Sequence, residues 1–231
     1  MSGKRHFFII LSGLIFILGF QLHAQPSDLA DKLTDTGRYF DSAVVERIKL
    51  IPRRLFISAS YAEIADENIA APGPDGGIIP SPEDTANAVS LLSPAIGDRV
   101  LIAGSNAGYA AALLAGLCDE VFLIEETADI NRYRRIFEGL GIGNIVISGD
   151  GSLDSFGELV VFDRILVHAA VSELPENITE KLAITGNITF ALGLSRGFQQ
   201  LVSLRRSLLG DSIITAGSCY FPDTKKLSIG N

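Results

Sequence analysis

The sequence predicts a doubly wound α/β domain, with a mostly parallel sheet covered on both faces and a C-terminal antiparallel hairpin. Three observations predict it. From residue 99 onward, short apolar runs alternate with helical periodicities. Those runs are apolar at consecutive positions, as strands buried on both faces are. Beyond residue 199 two β-rich stretches flank Arg205-Arg206 and Gly210, which suits a hairpin added to the sheet.

The elements follow in order. Residues 26–40 read as a polar tether or a first helix. Residues 42–51 form an amphipathic helix, with Val44, Val45, Ile48 and Ile51 at helical spacing, and Pro52 closes it. Residues 61–82 are the longest irregular stretch, rich in Gly and Pro, and such a loop inside a compact domain is usually functional. Ser81-Pro82-Glu83-Asp84 then starts a helix: Ser81 can cap, Pro82 suits the first helical position, and Asp84 stands at the capping-box offset. Strands are expected at 100–103, 121–124, 145–147, 164–167 and 188–192. Helices are expected at 109–117, 129–140 and 175–182. The domain proper is read as 42–231, with N-terminal helices and a substrate loop (42–96), a ligand-binding core (97–193) and the hairpin (194–222).

The first residues read differently. Lys4, Arg5 and His6 precede an apolar run from Phe7 to Phe20, and a small residue, Ala24, follows. That is the layout of a secretory signal peptide over residues 1–24, with residues 25–41 as a tether. The run is short for a spanning helix, which needs roughly 20 apolar residues. The expectation is an exported protein, periplasmic or secreted, with no stable membrane anchor after cleavage near Ala24. Without the leader the chain holds 17 basic and 27 acidic residues, a net of −10. An acidic body repels phosphate backbones, so nucleic acid is not an expected partner. Cys118 and Cys219 read as two buried free thiols, although an oxidising compartment would permit pairing. No Cys/His cluster suggests a metal.

In open α/β sheets ligands bind beyond the carboxyl ends of the strands, where the strand order reverses. That rule selects four spots. The turn Gly104-Ser105-Asn106-Ala107-Gly108 links a strand to a helix, the setting of a nucleotide pocket. Glu125 ends the next strand, where a carboxylate can accept both hydroxyls of a ribose; the alternative is an acid favouring the next helix's dipole. Asp150-Gly151 follows the third strand, as an adenine-side contact or an ordinary turn. His168 follows the fourth, as a positioning group or base, or as a partly exposed loop histidine.

With these pieces in order, the chain resembles the protein-L-isoaspartate O-methyltransferase family from about residue 44 to residue 222. Ile51-Pro52-Arg53-Arg54-Leu55-Phe56 looks like its N-terminal Pro-Arg motif. Gly97-Asp98-Arg99-Val100-Leu101 with Gly104 and Gly108-Tyr109 looks like its first cofactor motif. Gly149-Asp150-Gly151, Phe162-Asp163-Arg164-Ile165 and residues 200–222 match its later segments. The resemblance implies a Rossmann-like S-adenosylmethionine-dependent methyltransferase fold. It implies methyl transfer from S-adenosylmethionine to the free carboxylate of isoaspartyl residues in damaged proteins or peptides. Gly104, Asn106, Gly108, Glu125, Asp150 and Gly151 would hold the cofactor, Ile78, Ile79 and Pro80 would line the substrate loop, and Ser81 and His168 are the catalytic candidates.

Three positions depart from the family pattern. Ile102 replaces an acidic residue that helps hold the amino-acid end of the cofactor. Asn106 replaces the middle glycine of the turn. Pro80 stands where the loop's hydroxyl residue falls in direct register, with Ser81 one place on. A second reading therefore stands beside the enzyme: an exported, non-catalytic descendant that has lost the cofactor site and serves as a binding or structural module.

Overall fold

The computed structural model describes residues 28–125, 130–148, 151–194 and 197–223. The leader and Asp150 lie outside them.

Two helices open the described chain, α1 (Leu29–Thr34) and α2 (Ser42–Leu50). Leu29, Ala30 and Leu33 of α1 are buried in the main core, so the segment read as a tether or first helix contributes to packing. A miniature antiparallel pair, β1 (Ala71–Pro72) and β2 (Ile78–Ile79), interrupts the long irregular stretch. Helix α3 (Pro82–Leu92) begins as its sequence requires, with the Ser81 hydroxyl accepting the Asp84 N–H at 3.0 Å.

The sheet then forms from β3 (Arg99–Ala103), β4 (Glu120–Ile124), β5 (Ile145–Ile147), β6 (Phe162–Val171), β7 (Leu182–Gly193), β8 (Gln199–Arg205) and β9 (Ser212–Ser218). Its order is β5-β4-β3-β6-β7-β8-β9, parallel through β7 and antiparallel for the last two pairings. Helices α4 (Gly108–Leu114), α5 (Ile130–Gly139) and α6 (Glu176–Glu180) connect the strands. Side chains along β3 alternate between two cores. Val100 and Ile102 join the larger cluster with α2, α3 and α4, whereas Leu101 and Ala103 join the opposite one with Phe162, Ile165 and Ile178. Burial on both faces accounts for the continuous apolar runs.

The expected strand 164–167 is longer than its apolar run. β6 continues to Val171 because both of its flanks are occupied there: β7 pairs with Ala170 and Val171, and the Ala170 N–H donates to Pro222 O at 2.9 Å. His168 is thus inside a strand and 1% exposed, not on a loop edge. The expected helix 175–182 shortens to α6. Lys181 O accepts the Phe162 N–H at 2.8 Å, which draws the chain into β7 earlier than its composition suggests. Asn187, the start of the predicted fifth strand, is instead mid-β7 and 4% exposed, and its amide donates to Leu91 O and Leu92 O at the end of α3.

The segment after β9 crosses back over the sheet. Gln199 grips it at both polar atoms of Phe221, donating to Phe221 O at 2.9 Å and accepting from Phe221 N at 2.7 Å. The Phe221 ring meets His168 edge-on, with centroids 5.4 Å apart. Both cysteines are free, Cys118 buried and Cys219 half-buried, so only the first matches the expectation of buried thiols. Burial pushes each thiol up to about 12, Asp98 and Asp119 adding to it at Cys118 and Asp84 at Cys219.

Candidate active site

The strand order reverses at β3, whose partners diverge as β4 on one side and β6 on the other. Ala103 is level with Ile124 and with Val167, so Gly104 and His168 flank the crevice at its mouth. The approach there is backbone to backbone. Gly104 has φ +146°, and a Cβ on it would stand 2.6 Å from His168 O. Only glycine meets both demands.

The turn continues through Asn106 at φ +55°, which asparagine tolerates better than most residues. Glu125 organises it. Its carboxylate accepts the N–H of Asn106 and of Ala107, one on each oxygen, both at 2.9 Å. The side chain is buried, 1% exposed, at the end of β4. A carboxylate offers about four acceptor directions, and binding two amides fixes its orientation. Gly151, at φ +72°, lies beside the same residue, its Cβ position 3.6 Å from Glu125 O. The structure therefore brings Gly104, Asn106, Gly108, Glu125 and Gly151 into one neighbourhood.

Tyr133 of α5 closes this neighbourhood and was missed as a site residue, because helical periodicity assigns it to a core face. Its ring lies against Gly108, whose Cβ position falls within 3 Å of three ring carbons. Burial, then the nearby charges of Glu125 and Asp75, push the phenol well above its ordinary value. His168 forms the opposite wall. The carbonyl of Ser105 can only accept, so the imidazole donates from Nδ1 at 3.3 Å. Burial pulls its pKa down to about 4, and the ring is neutral at neutral pH.

The substrate loop reaches the turn directly. The side chain of Asn106 projects between Gly73 and Gly77, where a Cβ would meet Oδ1 at 2.1 Å or Nδ2 at 2.2 Å. Behind the loop lies Arg53, 1% exposed, whose guanidinium donates to Ala65 O, Ile69 O and Pro80 O at 2.9–3.3 Å, with Glu67 O at 3.5 Å. Burial lowers its pKa. The Pro-Arg motif thus shapes the loop that carries Ile78, Ile79 and Pro80. Ile79 is buried in the main core and Ile78 is half-buried. Ser81 is occupied locally: its hydroxyl accepts Asp84 N–H and donates to Asp84 Oδ2 at 2.8 Å. Burial raises the Asp84 carboxyl, and the hydrogen bond from Ser81 works against that shift. Ile102 is fully buried in the core.

Two features of this neighbourhood fit S-adenosylmethionine: an oriented buried carboxylate at the end of β4, and a buried amide oxygen on Asn106 with no donor among the described residues. Among those residues no group of three His, Cys, Asp or Glu converges on a metal position.

The fold and this turn define a Rossmann-like methyltransferase of the S-adenosylmethionine-dependent class. More narrowly, residues 24–226 match the family model for protein-L-isoaspartate(D-aspartate) O-methyltransferase, and the chain belongs to that family. A protein-L-isoaspartate O-methyltransferase of Koribacter versatilis is 37% identical over 168 residues, covering 72% of this chain and 75% of that one. One from Syntrophus aciditrophicus is 36% identical over 187 residues, covering 78% and 84%. In structure the chain is similar to a putative protein-L-isoaspartate O-methyltransferase of Plasmodium falciparum, solved with S-adenosyl-L-homocysteine. The TM-score is 0.71 at 22% identity, covering 88% of this chain and all of that one, a likeness of fold.

Proposed function

We propose that the chain binds S-adenosylmethionine and methylates the free carboxylate of isoaspartyl residues in proteins or peptides. The observation that carries the reading is the oriented Glu125 carboxylate, held by the amides of the turn it must serve. Glu125 would accept the ribose hydroxyls, Gly151 would admit the adenine alongside it, with Asp150 as a partner for its amino group, and Gly104 would let the ligand approach the backbone.

The cofactor supplies a methyl group on a sulfonium, so a substrate carboxylate oxygen forms the new O–CH₃ bond as the S–CH₃ bond breaks and a neutral thioether leaves. The attacking oxygen is already anionic. The protein's contribution is to hold the reacting atoms in line and exclude water. No proton moves in that displacement, which agrees with a neutral, buried His168 acting as wall and not as base.

Calorimetric titration with S-adenosylmethionine tests the reading. Wild type should bind, and should transfer methyl groups to an isoaspartyl peptide but not to its aspartyl counterpart. Glu125→Ala should weaken binding by about tenfold or more. No binding at roughly millimolar cofactor would overturn the reading in favour of the non-catalytic one.

We further propose that the protein works outside the cytosol after cleavage near Ala24. The support is the basic, apolar, small-residue layout of residues 1–24, and a family match that starts only at residue 24. The N-terminus of protein purified from its native host decides it, and a start at Met1 would reject cleavage.

A further inference from the structure

Asn106 and Asp75 meet at the loop 73–77, where the Asp75 carboxylate also accepts the Gly77 N–H at 3.3 Å. Asn106 is 1% exposed, and its Oδ1 has no hydrogen-bond donor among the described residues. A buried acceptor left without a donor costs free energy that a solvated one does not. This oxygen is aimed into a cradle of two glycines, 2.1 Å from the Cβ position of Gly73, with the amide nitrogen 2.2 Å from that of Gly77. The carboxylate oxygen of Asp75 reaches the same cradle, 3.4 Å and 3.5 Å from the same two positions. Glu125 holds the backbone of the same residue, accepting the Asn106 N–H at 2.9 Å. A carboxylate and an amide oxygen thus share one cradle.

S-adenosylmethionine carries a primary ammonium at its amino-acid end, a group with three donors and a positive charge. We propose that Asn106 Oδ1 and the Asp75 carboxylate together form the seat for that ammonium. The inference rests on the cofactor reading above. It supplies what Ile102, apolar and buried in the core, does not. It also gives the loop at 73–77 a second task, since the loop then closes on the cofactor as well as on the protein substrate. Gly73 and Gly77 leave room for the Asn106 amide, which occupies the space a Cβ at either would fill.

The test compares two ligands by calorimetry: S-adenosylhomocysteine and its analogue lacking the amino group. Wild type should prefer the amine by roughly tenfold or more, as a charge-assisted hydrogen bond would give. Asn106→Gly keeps the positive φ and removes the oxygen, and Asp75→Asn removes the charge on an exposed residue. Both variants should lose most of the preference, read as the ratio of the two affinities in each variant. Glu125→Ala should weaken both ligands alike. Full preference retained in Asn106→Gly and Asp75→Asn would overturn the seat while leaving the cofactor reading intact. Failure of wild type to bind either ligand would overturn both.

Discussion

The ring of Tyr133 fills the space that a side chain at residue 108 would need, its Cε1 2.2 Å from the Cβ position of Gly108. The same ring stacks with Phe137, with centroids 6.0 Å apart, and faces Phe56 at 6.4 Å. One glycine therefore joins the cofactor turn to the aromatic core beneath α5.

Gly108→Ala should consequently be destabilising although alanine favours helices. The added methyl must displace a packed aromatic, and overpacking of this kind costs about 1–3 kcal/mol. Urea denaturation measures it. Combining Gly108→Ala with Tyr133→Ala should cost less than the sum of the two single losses, since the second change removes the ring that the first collides with.

Arg53→Met should be among the most damaging single changes. It leaves the carbonyls of Ala65, Ile69 and Pro80 without their donor, at a cost of about 3 kcal/mol or more. Limited proteolysis should locate the new cleavage between residues 59 and 80, and cleavage elsewhere first would contradict the role.

His168 makes stability depend on pH in a defined direction. Its folded pKa of about 4 lies below the ordinary 6.5, so between those values the unfolded chain binds the extra proton. Stability from this group is complete above pH 6.5 and falls as the pH drops toward 4, by up to about 3 kcal/mol. Unfolding free energies measured at pH 4.5 and 7.5 should differ less in His168→Gln than in wild type.

Ser81→Ala removes an N-cap and should cost about 1 kcal/mol of stability. Its described side-chain bonds all go to Asp84, so methyl transfer well below the melting temperature should change by less than about twofold. Ser81→Thr should restore the stability. A large fall in kcat with stability unchanged would instead make the hydroxyl part of the chemistry.

The elements written in local pattern were legible in the sequence. Val100 to Ala103 and Val121 to Ile124 announce strands buried on both faces, and Ser81-Pro82-Glu83-Asp84 announces a helix start; all three form at those residues. What was not legible depends on partners far along the chain. His168 looks like the end of a short strand until β7 and the segment at Pro222 extend that strand past it. Tyr133 has the spacing of a core residue, and only the packing of α5 on Gly108 makes it a wall of the site. Asn106 reads as a damaged glycine position. Its meeting with Gly73 and Gly77, some thirty residues upstream, follows from tertiary closure of the loop, which no local rule describes.

The grip of Gln199 on Phe221 has a consequence for how the protein comes into being. The wall beside His168 is built in part from residues that follow every strand of the sheet, and β6 lacks part of its flank until Pro222 has been made. A chain emerging from its amino end carries the turn, Glu125 and the loop long before it carries the Phe221 ring that packs against His168. That wall is therefore finished only after β9 has been made, so a chain truncated before Phe221 would keep its strands but lack the wall beside His168.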